Sequence, residues 1–146
     1  MTATAHALVG GAIAASIPDP LIGLPLAFIS HPFIDMIPHW DFGWGWREKT
    51  KLKLFIEGSL DLALGTLVAF LIFGRFADPA YFFAAVLLSE SWDLLETPYW
   101  FLKWNFPPFS TMYKFQSKIQ GKAALPWGIV TQVATVLVIT ALLNTF

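Results

Sequence analysis

Five long apolar stretches set the terms on which this chain can fold. They cover residues 4–17, 20–37, 52–74, 79–102 and 123–143, and leave two sizeable polar connections, 38–53 and 103–122. Only 13% of the residues are charged, against about 25% in soluble domains, and the mean hydropathy is +0.61. One small core cannot consume that much apolar surface. The sequence therefore predicts an all-α fold, a polytopic membrane helix bundle of about five helices with the first two short, built as a single domain over residues 1–146.

At ~1.5 Å per residue the first two helices reach ~21 Å and ~27 Å, short of a ~30 Å hydrocarbon core. They are expected to form a hairpin that crosses in part or sits in thinned bilayer, turning at "PDP". The other three have spanning length, with Pro98 expected to kink the fourth. The stretch "KWNFPPFSTMYKFQSKIQGKAALP" is polar and holds an amphipathic interfacial helix around Tyr113 to Ile119. No Lys or Arg precedes the first apolar run, so that run reads as a helix of the mature protein rather than a cleaved leader. "GG" at 10 and 11 suits close helix packing.

Of the nine Lys and Arg residues, all but Arg75 fall in the two polar connections, which five crossings place on one side. The positive-inside rule makes that side cytoplasmic, with the N-terminus inside and the C-terminus outside a bacterial or archaeal inner membrane. Trp40, Trp44, Trp46, Trp100, Trp104 and Trp127 gather near the same boundary, as an aromatic belt does. A net charge of −1 implies no nucleic-acid partner, and the absence of cysteine means that any metal is held by nitrogen and oxygen.

The costly polar groups share one depth. His6 lies one turn into the first helix, and "SHPFIDMIPHWD" puts His31, Asp35, His39 and Asp41 at the cytoplasmic end of the second. Glu57 and Asp61 occupy the start of the third helix and Glu90, Asp93 and Glu96 the later half of the fourth, while Gln132 of the fifth falls level with them. Asp61 and Asp93 each sit ~13 Å below a helix end, where an isolated carboxylate costs at least about 2.5–3.5 kcal/mol. No Lys or Arg lies deep enough to compensate, and protonation alone leaves the histidines unexplained. A metal ion accounts for both. The candidate ligands are His6, His31, Asp35, His39, Asp61 and Asp93, a set that suits Zn²⁺ best and also Mn²⁺ or Fe²⁺, as one or two ions. Glu90 is the candidate general base, and Glu57 and Glu96 either orient the histidines or pair with Lys53 and Lys103. Pro32 is expected to break the second helix at His31.

The stretches "HALVGGAIAASIPDP" and "HPFIDMIPHWD" resemble the pattern of the small membrane-bound, metal-dependent hydrolases of the inner-membrane-associated group. The His-x3-Asp element with a further His downstream is similar to that of zinc-dependent phospholipase C and related nucleases. That resemblance implies a ligand role for His31 and Asp35, and for His39 beside them. The group's later His-rich segment has no counterpart, since no histidine follows His39, so Asp61, Asp93 and Glu90 would complete the site.

The expected function is a metal-dependent hydrolase acting at the cytoplasmic leaflet on a lipid phosphoester or similar amphiphile, with the lysines of 103–122 attracting an anionic headgroup. Two other classes use the same residues. An ion or proton-coupled transporter needs polar groups along a whole path, and "GTLVAFLIF", "YFFAAVLL" and "TVLVITALL" offer only threonines. A non-catalytic binding or assembly subunit, with His6 and His31 on haem, has no use for so many acids.

Overall fold

The computed structural model describes residues 1–143, and residues 144–146 lie outside the described residues. Six α-helices make up the described chain: α1 (Ala3–Ser16), α2 (Pro20–Asp35), α3 (Lys51–Phe73), α4 (Pro79–Leu102), α5 (Phe109–Ile119) and α6 (Trp127–Leu142). No strand occurs among the described residues; a single parallel bridge joins His39 and Lys122. α5 covers the amphipathic helix expected around Tyr113 to Ile119.

Local chemistry starts four of these helices. Thr2, Asp19, Thr50 and Asp78 each accept a backbone N–H of the first turn through their side chains, and prolines at 20 and 79 occupy first-turn positions that need no donor.

α1 is the central helix, packed against α2, α3, α4 and α6. Its length is a small-residue surface, with Ala5, Ala7, Gly10, Gly11, Ala12 and Ala14 all buried. A Cβ on Gly10 would come within 2.7 Å of Ser89 Oγ and 2.9 Å of the Ala85 carbonyl oxygen. One on Gly65 of α3 would lie 2.4 Å from Thr4 Cα. Backbones this close need residues with little or no side chain.

Three expectations are corrected. α2 runs unbroken through Pro25 and Pro32 to Asp35. Pro32 has no N–H to give Phe28, but the indole Nε1 of Trp92 donates to that carbonyl at 2.9 Å, so the freed acceptor is satisfied from α4 and the helix survives. α6 opens only after Pro126 and has 16 residues, about 24 Å, rather than the spanning length read from 123–143. Consequently one described helix is long and apolar enough to cross a membrane: α3, which with its terminal 3₁₀ turn runs 26 residues, Lys51–Phe76. α4 has the length but carries Glu90, Asp93 and Glu96.

The outward faces of α3 and α6 are apolar. Leu60, Leu64 and Leu71 of α3, with Val133, Leu137 and Leu142 of α6, are exposed, Leu71 to 72% and Leu142 to 76%. So large an exposed aliphatic surface is unlike that of a monomer in water.

The close approach of α1 to α4 is testable. Gly10→Leu is expected to destabilise the purified protein by about 1–3 kcal/mol, the usual cost of overpacking, seen as a lowered thermal unfolding midpoint. Gly58→Ala, where a Cβ meets nothing within 4 Å, is expected to leave that midpoint unchanged or raise it.

Candidate metal centre

The site begins with one carboxylate. Asp35, the last residue of α2 and 2% exposed, faces three imidazoles. Its Oδ1 lies 3.1 Å from His6 Nε2 and 3.9 Å from His39 Nε2, and its Oδ2 lies 3.4 Å from His31 Nε2. The i, i+4 spacing of His31 and Asp35 puts both on one face of α2. His39 lies beyond the helix end, and its return toward Asp35 is enforced by backbone pairing. Gly121 N donates to the Asp35 carbonyl, His39 N to the Gly121 carbonyl, and Ala123 N to the His39 carbonyl. The strands of chain meet so closely that a Cβ on Gly121 would lie 2.6 Å from the Met36 carbonyl oxygen.

Each ring's far nitrogen is engaged differently. His31 Nδ1 bonds the Ser89 carbonyl at 2.5 Å and His39 Nδ1 bonds the Ile37 carbonyl at 2.8 Å. A carbonyl can only accept, so Nδ1 carries a proton and Nε2 is the nitrogen turned toward the acids. Metal-binding histidines are oriented by this same device. His6 has no partner at Nδ1, and its ring stacks on that of His31 with centroids 3.7 Å apart and planes 5° from parallel. Two rings in face contact leave no room for a macrocycle between them, so this pair does not suit haem.

Asp93 reaches the same place from α4, its Oδ1 3.4 Å from His31 Nε2. His6, His31 and Asp93 offer ligand atoms that all lie within 4.8 Å of one another. Asp41 approaches His39, Oδ2 to Nε2 at 3.4 Å. The structure thus brings His6, His31, Asp35, His39 and Asp93 of the sequence-derived set together. It uses Asp61 elsewhere: that carboxylate accepts the backbone N–H groups of Ala3 and Thr4 at 2.7 and 3.2 Å and the Thr4 hydroxyl at 2.7 Å. Asp61 therefore caps α1 from α3. Glu57 pairs with Lys49 at 2.6 Å and with Lys53 at 3.8 Å.

Gln116 on α5 and Gln120, the residue just past its end, were not among the residues singled out from the sequence. Gln116 Nε2 lies 2.9 Å from Asp93 Oδ1 and 3.4 Å from His31 Nε2, and Gln120 Nε2 lies 2.7 Å from Asp41 Oδ2 and 3.2 Å from His39 Nε2. The Met1 nitrogen is placed likewise, 3.2 Å from His6 Nε2 and against Asp35 Oδ1. Spacing held the clue: Ser110, Tyr113, Gln116 and Gln120 recur at helical intervals on the inward side of α5, while Lys114, Phe115 and Lys118 face out. Gln132 of α6 ties the entry segment down, accepting from Thr2 N at 2.8 Å and donating to the Trp40 carbonyl at 2.7 Å.

Beside these groups opens a cavity of about 580 Å³. Its wall combines Asp35, Asp93, Glu90, Glu96 and Gln116 with the apolar Leu54, Phe55, Leu62, Leu94 and Phe101, and includes Arg47 and Lys122. Glu90 and Glu96 are 2% and 4% exposed, and Oε1 of each has no hydrogen-bond partner. A shallower apolar groove shares Phe55, Leu94, Thr97 and Phe101 with the cavity, along the seam between α3 and α4.

Comparison of the chain with protein-family models, with curated proteins and with solved structures finds no match in any of the three.

The capping role of Asp61 yields an expectation of its own. Asp61→Ala should cost about 1–3 kcal/mol of stability by stranding the first N–H groups of α1, measured by thermal unfolding, and leave any bound metal in place. Loss of metal at unchanged stability would return Asp61 to the ligand set.

Proposed function

We propose that this protein is a membrane-embedded, metal-dependent hydrolase that acts on an amphiphile at the cytoplasmic leaflet. The observation that carries the reading is the meeting of His6, His31 and Asp93, from three helices, with ligand atoms within 4.8 Å of one another, beside a cavity that Asp35 and Asp93 line. Burying such groups is expensive unless they hold something. A divalent ion in this donor set, Zn²⁺ before Mn²⁺ or Fe²⁺, would lower the pKa of a water toward ~7 and polarise a phosphoryl or acyl oxygen.

The chain's own residues supply the rest. Ser89 and Ile37, through their carbonyls, keep Nε2 of His31 and His39 directed inward. Glu90, with an unpaired Oε1 in the cavity wall, is the group to accept a proton from the attacking water. Arg47 and Lys122 favour an anionic headgroup, and the α3–α4 seam gives an acyl chain an apolar path from the bilayer. The exposed aliphatic faces of α3 and α6 support immersion in lipid, and the basic connections support a cytoplasmic opening.

Elemental analysis of the purified protein tests the metal directly. Wild type is expected to carry stoichiometric metal, His31→Ala to lose it, and Glu90→Gln to keep it while hydrolysis of a phospholipid or long-chain phosphoester panel falls by about 10²-fold or more. Metal-free wild type after supplementation with zinc, manganese and iron would remove the basis of the reading. Filling the seam with Leu94→Trp is expected to depress turnover of long-chain substrates while sparing short-chain, water-soluble ones; equal loss on both would dissociate the seam from substrate entry.

A further inference from the structure

The orphaned polar atoms of the interior are not scattered. Among the described residues, the buried side-chain atoms without a hydrogen-bond partner are His6 Nδ1, Glu90 Oε1, Glu96 Oε1, Trp100 Nε1 and Gln116 Oε1. All but the first belong to residues that line the cavity of about 580 Å³. A buried polar atom left without a partner is costly, so four of them around one space call for an occupant that meets them. Glu90 has its part in activating water. Glu96 Oε1, Trp100 Nε1 and Gln116 Oε1 have none in that reaction, and Glu96 is only 4% exposed.

Helical spacing sorts this part of α4 into two faces. Asp93, Glu96 and Trp100 follow one another at i, i+3 and i+7 and share one side, while Leu94, Thr97, Pro98 and Phe101 share the neighbouring side, which meets Phe55 of α3 in the apolar seam. The first side belongs with α5: Tyr113 and Gln116 stand in the same cavity wall, and Gln116 Nε2 holds Asp93 at 2.9 Å. Along the helix axis Glu96 lies ~4.5 Å and Trp100 ~10.5 Å beyond Asp93. A polar strip thus leads away from the candidate metal ligands on a face separate from the seam.

An occupant of that strip has to donate and accept at once, because Glu96 and Gln116 leave oxygens open and Trp100 an N–H. A hydroxyl does both, a protonated amine only donates, and a trimethylammonium group does neither. The aromatic face on which a cation would rest is also taken: the Arg47 guanidinium lies 4.7 Å from the centre of the Trp46 ring, which stacks on Trp100 with centroids 5.7 Å apart, and Arg47 donates to the Tyr113 hydroxyl at 2.9 Å. We infer that Glu96, Trp100 and Gln116 form a subsite for the hydroxyl groups of a polyol headgroup such as glycerol. Glu96 and Gln116 accept from its hydroxyls and the Trp100 indole donates to one of them. Arg47 and Lys122 are then left for the phosphoryl group, and the acyl chains follow the seam. The inference rests on the hydrolase reading for the phosphoester and adds what that ester carries on its polar side.

The test titrates short-chain phospholipids with glycerol, ethanolamine or choline headgroups into full-length protein, as purified and again after chelation, with dissociation constants read by calorimetry. Wild type is expected to bind the glycerol lipid about 10-fold or more tightly than the other two in both states. Trp100→Phe, which keeps a ring and removes the N–H, and Glu96→Met, which keeps the length and removes the oxygens, are each expected to lose most of that preference while binding the choline lipid as wild type does. Equal affinity for the three headgroups, or a preference unchanged in both variants, would overturn the subsite. Preference for the ethanolamine lipid would overturn it too and make the strip an ammonium site. Glycerol phosphate without acyl chains, if bound as tightly as the lipid, would keep the hydroxyl contacts and overturn a lipid as their source. A glycerol preference in protein that cleaves none of the three would support the subsite and count against the hydrolase reading alone. The wild-type comparison decides the matter even if a variant fails to fold.

Discussion

Everything in this structure is arranged around the cost of burying Asp35. A carboxylate at 2% exposure, inside a bundle whose outer faces are aliphatic, needs compensation from several directions at once. That compensation comes from His6 on α1, His31 on α2, His39 on the segment after α2, and the Met1 nitrogen. Because these groups are drawn from elements far apart in sequence, meeting the demand of one oxygen pair dictates how the elements pack. α1 must enter the centre, which its glycines and alanines allow, and residues 35–40 must lie along 121–123, which Gly121 allows.

A second layer holds the first in place. Ser89 accepts at its carbonyl from the His31 ring and donates through its hydroxyl to the His6 carbonyl at 2.9 Å, so α4 fixes α1 and α2 together. Trp92, one turn further, caps the carbonyl that Pro32 leaves open. Asp61 and Gln132 bind the N-terminal turn of α1 from opposite neighbours. The result is an array whose ring orientations are fixed by contacts from α4 and from the chain after α2.

Much of the helix pattern was legible because apolar runs and prolines speak locally. The limits of α1, α2, α3 and α4 fall within two residues of those read from the sequence. The errors came where tertiary contacts outweigh local rules: α2 continues past Pro32 because a tryptophan from another helix repairs it, and α6 starts late because residues 121–123 are held beside 35–40. The same division runs through the site. The depth of the acids pointed to His6, His31, Asp35, His39 and Asp93, but depth cannot distinguish a group facing the cluster from one facing a helix end. Asp61 lies level with the others and yet caps α1. Gln116 and Gln120 escaped notice because uncharged amides carry little burial penalty, and only the register of α5 against the core reveals their purpose.

In the function proposed here, the imidazoles and carboxylates around Asp35 enclose a cation. X-ray absorption at the zinc edge, recorded on protein reloaded with one equivalent of Zn²⁺, measures the surroundings of the ion itself. The expected spectrum shows a mixed nitrogen and oxygen shell at ~2.0–2.1 Å, with the outer-shell scattering of at least two imidazole rings. An all-oxygen shell without imidazole scattering would place the ion elsewhere and contradict the account.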